Sequence, residues 1–296
     1  MLSVLIPTFN YDITTLVENL SRQLRDSHFA FEIRVLDDCS SNTEIYHHNK
    51  TISALPHCHF SQNKKNLGRT ATRQALAESA KYDWLLFMDA DVLPQNENFI
   101  HHFDIENQKA DVVFGGITYD NKKPEKDKML RWKYGKSRES RPVSERIKVP
   151  YLSIISGCCL IKKEVFLKAN SFLNNFYGAD VMFVQNLEQM QVRAKHIDNP
   201  VIHLGLETNT SFIEKTKRGL ESLYFFEKEN KIPDNYRPIQ KAYQSLQKNG
   251  ALRFFMAIIR TFEKTILKNL ESSSPSLFLF DLYRLYYYSQ LKKQSL

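Results

Sequence analysis

Residues 84–94 read WLLFMDADVLP. The short apolar run is typical of a buried strand, and Asp89 and Asp91 follow it with only Ala90 between them. Carboxylates at the end of a buried strand are costly to desolvate unless a cation meets them. Because α/β folds bind ligands at the carboxyl ends of their strands, the segment predicts a divalent-cation site at a sheet edge. A plain strand-end turn, marked by Asp and Pro94, is the alternative.

Strand and helix patterns alternate around this segment. Strand-type runs read SVLIPTF (3–9), FEIRVLDDCS (31–40) and HCHFSQN (57–63), and helical runs read TTLVENLSRQL (14–24) and NLGRTATRQALAESA (66–80). Later runs predict a strand at ADVVFGGITY (110–119), strand then helix at YLSIISGCCLIKKEVF (151–166), and a Gly-led turn into a helix at NNFYGADVMFVQNLEQM (174–190). This alternation predicts an α/β fold, with a mostly parallel sheet and helices on both faces.

Two regions depart from the alternation. Residues 122–148 are crowded with Lys, Arg and Glu, which favours a loop or a mobile helical excursion over core. Beyond about Phe212 the strand pattern stops, and helical patterns continue to the end of the chain. We therefore predict a catalytic α/β domain over residues 1–212 and a C-terminal helical region over residues 213–296, which serves packing, oligomerisation or membrane-surface contact.

Composition narrows the class of protein. A hydrophobic content of 42% over 296 residues is enough for a large core. No apolar run approaches the roughly 20 residues of a membrane-spanning helix, and the first ten residues resemble a core strand more than a secretion signal, so we expect a cytoplasmic protein. The four cysteines lack the paired spacing of zinc sites. The formal net charge of +8 suits anionic partners, but there is no recognised nucleic-acid-binding module.

Polar or acidic signals end four of the predicted strands or the turns after them. One acidic strand end is unremarkable, but several in a parallel sheet converge on one cleft. Such a cleft would bind a metal ion, which in turn would neutralise a phosphorylated substrate. The four signals are Pro7-Thr8, Asp37-Asp38, Asp89-Ala90-Asp91 and Gly178-Ala179-Asp180.

Five segments in this order resemble the inverting GT-A glycosyltransferases of family 2. The resemblance covers roughly residues 1–206 and implies the Rossmann-like fold of nucleotide-diphospho-sugar transferases, with a helical appendage after it. Its motifs are LSVLIPTFN (2–10), VLDDCS (35–40), NKKNLGRTATRQAL (63–76), the DAD triplet, and FYGADVMF (176–183) after GCCLIKKEVF (157–166).

The resemblance implies a set of nucleotide-sugar contacts. A carboxylate can accept hydrogen bonds from a uracil N–H or ribose hydroxyls, and a glycine allows close backbone approach. Strand-end turns, and an exposed helical position for the arginine, remain alternatives. The implied donor-binding residues are Pro7, Thr8, Asp37, Asp38, Asn66, Gly68, Arg73 and Asp89.

The resemblance also implies the metal and the catalytic base. Asp91 would coordinate Mn²⁺ or Mg²⁺, and His203, in NPVIHLGLE, would complete the metal shell unless it is a packed core histidine. Asp180 matches the general base, although a helix N-cap is its alternative role. Many family members place Glu before this aspartate, whereas Ala179 stands here, which puts any role of that Glu in doubt.

We therefore expect a metal-dependent inverting transferase of the hexosyl or N-acetylhexosaminyl type. Its donor would be a nucleotide sugar, UDP-linked by default, and its acceptor a saccharide or lipid-linked saccharide of a bacterial cell-surface polysaccharide. The basic, aromatic C-terminal helices favour packing or a homo-oligomer, with peripheral contact at the inner face of the cytoplasmic membrane as the alternative. Two other readings are a haloacid-dehalogenase-like phosphatase using Asp89 as nucleophile, and a catalytically degenerate transferase.

Overall fold

A computed structural model describes residues 1–172 and 176–293. The predicted Gly-led turn at Gly178 lies within this range, but Asn174 and Asn175 of that segment lie outside it. The chain forms two compact units, and each draws on three separate stretches. Unit 1 is Met1–Asp120, Arg138–Asn175 and Phe183–Gly205, and unit 2 is Asn121–Ser137, Phe176–Met182 and Leu206–Leu296.

Unit 1 carries the strands. The central strands are nearly continuous apolar runs, and Leu2, Val4, Leu5 and Ile6 of the first strand are fully buried. The strands are β1 (Leu2–Thr8), β2 (Phe31–Asp37), β3 (Cys58–Gln62), β4 (Trp84–Met88), β5 (Val92–Pro94), β6 (Val112–Phe114), β7 (Ile117–Thr118), β8 (Cys158–Lys162), β9 (Ala194–His196) and β10 (Val201–His203).

Across the described residues the strands form two sheets. The larger has seven strands in the order β3-β2-β1-β4-β8-β6-β9. From β3 to β4 all neighbours are parallel, β8 is antiparallel to both β4 and β6, and β9 is parallel to β6. The smaller sheet has the order β5-β10-β7. The predicted mostly parallel α/β sheet is confirmed, and its parallel half brings the ends of β1, β2 and β4 to one edge.

The predicted single strand at residues 110–119 is wrong. The structure divides it into β6 and β7, which belong to different sheets. The break falls at Gly115 and Gly116. Gly116 has φ +103°, and a Cβ on Gly115 would lie 2.1 Å from the carbonyl oxygen of Asn199, so both positions require glycine.

Helices follow the strands and then fill the C-terminal part of the chain. They are α1 (Thr14–Arg25), α2 (Thr43–Lys50), α3 (Arg69–Ser79), α4 (Met129–Tyr134), α5 (Val143–Arg146), α6 (Lys163–Ala169), α7 (Asp180–Gln189), α8 (Asn209–Lys228), α9 (Pro238–Lys248), α10 (Leu252–Leu270) and α11 (Leu277–Lys293). In the described ranges none of them combines the length and apolar character needed to cross a bilayer.

Unit 2 has a hydrophobic core of its own. Leu130 of α4 is fully buried there with Phe212 and Ile213 of α8, and with residues of α10 and α11. The charged segment 122–148 therefore contributes to a core, contrary to our expectation. The segment is rich in charged residues, so its composition alone did not reveal that Leu130 is buried.

Candidate active site

The first aspartate of the DAD triplet is held by two arginines. Asp89 follows β4, and α3 begins directly after Gly68, so Arg69 and Arg73 lie four residues apart on one helix face. Nη2 of Arg69 lies 2.8 Å from Oδ2 of Asp89, and Nη2 of Arg73 lies 2.9 Å from Oδ1. Burial alone would raise the pKa of Asp89, but the two arginine charges outweigh it and hold that pKa below its ordinary value.

Arg73 is itself almost completely buried, with 5% of its side chain exposed. Besides Asp89 it donates to the backbone carbonyl of Ser156, and it lies over the ring of Phe87 at 5.1 Å. Arg69 also donates to the hydroxyl of Ser156, at 3.2 Å. The Arg69–Asp89–Arg73 cluster therefore ties α3 to the end of β4 and to the chain before β8.

The second aspartate lies in a different electrostatic environment. Pairing of β10 with β5 sets His203 opposite Val92, which brings His203 Nε2 to 3.5 Å from Oδ2 of Asp91. Burial raises the pKa of Asp91, His203 opposes this shift, and the charge of Asp89 adds to it, so the pKa of Asp91 stands above its ordinary value. Asp91 thus carries a negative charge that its surroundings compensate poorly.

The carboxylates of Asp89 and Asp91 each lie close to a glycine. A Cβ on Gly157 would lie 3.0 Å from Oδ2 of Asp89, and a Cβ on Gly205 would lie 2.0 Å from Oδ2 of Asp91. The second distance is far below any real contact, so a side chain at Gly205 would displace the Asp91 carboxylate. The backbone N–H of Leu204 donates to the carbonyl of Asp91 at 2.8 Å, which keeps Gly205 in place.

The residues present fit a hard divalent cation through a small set of ligands. Over the described parts of the chain, no group of three or more His, Cys, Asp or Glu side chains is arranged to hold a metal. Asp91 and His203 nevertheless offer a carboxylate oxygen and an imidazole nitrogen side by side, which suits Mn²⁺. A cation there would offset the poorly compensated charge of Asp91, and its remaining ligands would come from water or from a phosphorylated substrate.

The ends of β1 and β2 hold four of the predicted nucleotide-binding residues. Asp37 is fully buried and accepts hydrogen bonds from the backbone N–H of Ser40 at 2.9 Å and from Gln62 at 2.8 Å. Thr8, also buried, donates its hydroxyl to the carbonyl of Tyr11 at 3.0 Å, and Pro7 pairs with Leu36 in the sheet. These side chains stabilise the turns after β1 and β2.

Asp38 forms hydrogen bonds with the loop before α3. Its Oδ1 accepts from the side chain of Asn63 at 2.8 Å and from the N–H of Leu67 at 2.9 Å, and its Oδ2 accepts from the N–H of Gly68 at 2.8 Å. Asn66 donates to the Asp38 carbonyl at 3.1 Å, and Gly68 adopts φ +83°, which favours glycine. The predicted contacts Asp38, Asn66 and Gly68 therefore form one hydrogen-bonded group.

Asp180, the predicted base, belongs to unit 2 and is the first residue of α7. It is exposed, whereas Ala179 before it is buried. Gly178 has φ +87° and packs against Gly219, where an added Cβ would lie 3.3 Å from the Gly219 Cα. Burial lowers the pKa of Arg237, also in unit 2, and the charge of Asp180 is among those that oppose this shift.

Sequence reasoning missed three contributors to this site. Arg69 was detectable, because it precedes Arg73 by four residues in the first turns of a predicted helix. Gly157 and Gly205 gave no local signal, since each matters only through an aspartate that is distant in sequence.

A mostly parallel α/β sheet with carboxylates after two of its parallel strands is typical of nucleotide-binding proteins. Residues 3–168, more than half of the chain, match the sequence model of glycosyl transferase family 2. The chain belongs to this family. That assignment favours a transferase over the phosphatase alternative, and the two arginines that bind Asp89 agree with it.

One relative and two solved structures are similar to this chain. An uncharacterized glycosyltransferase of Haemophilus influenzae is 29% identical over a region covering 40% of this chain, and the match spans 42% of that protein's length. Residues 1–349 of Staphylococcus aureus TarS, in complex with UDP-GlcNAc, align with 99% of this chain and 92% of theirs, at a TM-score of 0.50 and 16% identity. The mannosyltransferase PcManGT of Pyrobaculum calidifontis, in complex with GDP-Man and Mn²⁺, is also similar. The alignment covers 98% of this chain and 86% of PcManGT, at a TM-score of 0.57 and 14% identity. These structures share the GT-A fold.

Proposed function

We propose that the protein transfers a sugar from a nucleotide-sugar donor to a hydroxyl acceptor with inversion, and that the reaction needs Mn²⁺ or Mg²⁺. The observation that carries this proposal is the Asp91–His203 pair beside Asp89, in a chain that belongs to glycosyl transferase family 2. The Mn²⁺ bound to a fold neighbour supports the choice of cation.

In this mechanism Asp91 and His203 would hold the cation. When bound, the cation would neutralise the donor diphosphate and the charge that develops on the leaving nucleotide. Asp89, kept ionised by Arg69 and Arg73, orients toward the donor sugar or ribose. The turns after β1 and β2, with Pro7, Thr8, Asp37 and Asp38, would line the nucleoside pocket together with Asn66 and Gly68 of the loop before α3.

Asp180 acts as the general base. Its carboxylate accepts the proton of the acceptor hydroxyl while that oxygen attacks the anomeric carbon in line, and the bond from the anomeric carbon to the diphosphate oxygen breaks. One displacement inverts the anomeric configuration without a covalent enzyme intermediate. Ala179 stands where many family members place a glutamate, so Asp180 is the carboxylate at this turn.

We further propose a UDP-sugar donor and a bacterial cell-surface polysaccharide as product, with a saccharide or a lipid-linked saccharide as acceptor. UDP-GlcNAc in complex with TarS supports the nucleotide, while GDP-Man in complex with PcManGT makes a guanosine donor the alternative. Transfer to a lipid-linked acceptor would take place at the inner face of the cytoplasmic membrane.

The direct test is nucleotide release from a panel of UDP- and GDP-sugars, with Mn²⁺ and with EDTA. We expect release from one nucleotide series, stimulated by Mn²⁺ and abolished by EDTA. Full release in EDTA would remove the metal from the mechanism. Tight nucleotide binding without turnover of any donor or acceptor would favour the degenerate transferase instead.

Asp180→Asn separates catalysis from binding. We expect donor affinity near that of the wild type and transfer reduced by roughly 10²-fold or more, as for loss of a general base. Calorimetry with the nucleotide and rate measurement on the same preparation give both quantities. A collapse of donor affinity would instead make Asp180 a binding or structural residue.

A further inference from the structure

Helices α10 and α11 have similar compositions but different surroundings. In α11 the aromatic side chains of Phe280, Tyr283, Tyr286 and Tyr288 are buried, with Phe278 exposed in the first turn. In α10 only one side joins the core of unit 2, through Ile259, Ile266 and Leu270. The opposite side of α10 faces solvent.

That exposed side carries a stripe of large apolar residues. Phe254 is 71% exposed, Ile258 39% and Phe262 56%. They are spaced four residues apart, so they lie along one face of the helix over about 12 Å. Thr261 and Thr265, also exposed, lie on the same face. We call Phe254, Ile258 and Phe262 the α10 stripe.

Basic side chains border the α10 stripe. Lys264 and Lys268 are exposed and lie to one side of the stripe, whereas Arg253 and Arg260 lie further round the helix and line a cavity of unit 2. The one acidic residue of α10, Glu263, points the other way and is hydrogen-bonded to Tyr286. An apolar strip with a positive border is the pattern of a helix that lies flat on an anionic surface.

A second copy of this chain fits the stripe poorly. An antiparallel two-fold contact would place the two lysines of one copy against those of the other, with no acidic residue of α10 on that face to meet them. A protein partner fits poorly as well, because three side chains along about 12 Å are far short of the roughly 800 Å² per partner that a specific interface buries. Side chains insert into a bilayer interface independently, so a narrow strip suffices there.

We propose that the exposed face of α10 binds an anionic phospholipid bilayer. Phe254, Ile258 and Phe262 enter the zone between headgroups and acyl chains, and Lys264 and Lys268 contact lipid phosphates. Each basic residue near such a surface strengthens binding about fivefold, and each phenylalanine about tenfold, so the helix holds the protein reversibly.

The test is sedimentation of the full chain with vesicles of phosphatidylcholine alone and with phosphatidylglycerol added. We expect binding only to the anionic vesicles. Phe254→Ser/Phe262→Ser should reduce it by at least about tenfold. Ile147→Ser, which removes a 57% exposed apolar side chain from unit 1, is the matched control and should bind like the wild type.

Charge-reversal variants test the lysines beside the α10 stripe. Lys264→Glu/Lys268→Glu should lower binding to anionic vesicles by more than tenfold. Lys168→Glu/Lys195→Glu makes the same change in net charge at exposed positions of unit 1 and should have a much smaller effect. Circular dichroism and thermal unfolding should show all four variants folded, since every substituted side chain is exposed.

Three results would overturn the proposal. They are absence of wild-type binding to anionic vesicles, equal binding by wild type and both α10 variants, and light scattering that shows a dimer which Phe254→Ser/Phe262→Ser makes monomeric without any vesicle binding. Nucleotide release in solution should be unchanged in every variant, so failure of membrane binding and failure of the proposed transferase activity give different readouts.

Discussion

Only Ala90 separates Asp89, in the Arg69–Asp89–Arg73 cluster, from Asp91, in the Asp91–His203 pair. The surroundings of the two carboxylates nevertheless shift their pKa values in opposite directions. Two arginines compensate Asp89 and lower its pKa, whereas burial and the charge of Asp89 raise the pKa of Asp91. The compensated carboxylate ties elements of the fold together. The poorly compensated one is a site where a cation would be favourable, so two aspartates of one motif, with Ala90 between them, differ in how the fold neutralises their charge.

The largest expected effect is on activity, from Asp91→Ala. Loss of this carboxylate should lower transfer by at least about 10²-fold, because the donor phosphates lose the charge that neutralises them. Nucleotide release and a Mn²⁺ titration measure the effect. Asp111→Ala is the control, since Asp111 pairs with Lys162 and Arg193 instead. If both variants lost comparable transfer activity, Asp91 would be no different in function from an aspartate held in ordinary ion pairs.

Asp89→Asn should lower stability. Arg73 would remain buried without its counter-charge, at a cost of about 3 kcal/mol in the free energy of unfolding, measured by urea denaturation. Because the folded-state pKa of Asp89 is depressed, its stabilisation is present at neutral pH and is lost as pH falls. The difference between wild type and variant should therefore shrink below about pH 4. A constant difference across this range would show that the charge of Asp89 is not the cause.

The two glycines provide a matched pair. Gly205→Ala forces the Asp91 carboxylate to move and should weaken Mn²⁺ binding by about tenfold. Gly157→Ala creates a 3.0 Å contact with Asp89, which a shift of a few tenths of an ångström relieves, and should leave Mn²⁺ affinity nearly unchanged. Calorimetric titration of both variants compares them directly, and equal Mn²⁺ affinity in the two would contradict the assignment.

The smallest expected effect has the opposite sign. An aspartate with a raised pKa costs folding free energy while it is ionised, so Asp91→Asn should raise Tm slightly at pH 7 in EDTA. The gain should disappear at a pH where wild-type Asp91 is protonated. A lower Tm at pH 7 would mean that Asp91 is stabilised by contacts in the same way as Asp89.

Local patterns were sufficient to predict β1, β2, β4 and the convergence of their ends, because parallel strands impose that convergence. They failed where a long-range contact decides the structure. Gly115 breaks a strand because Asn199 approaches it, and Leu130 is buried because helices more than 70 residues later cover it. In the site, Asp91 was predictable as an acid after a strand, but the different environments of Asp89 and Asp91 depend on side chains from α3 and β10.

The hydrogen bonds of Asp38 bear on the thermodynamics of donor binding. With one carboxylate accepting from Asn63, Leu67 and Gly68, the loop that carries Lys64 and Lys65 is already ordered at both ends before any ligand arrives. A loop with little conformational entropy left to lose makes nucleotide binding less unfavourable entropically. Affinity at this edge of the sheet can then come from a few contacts, and association need not wait for the loop to fold.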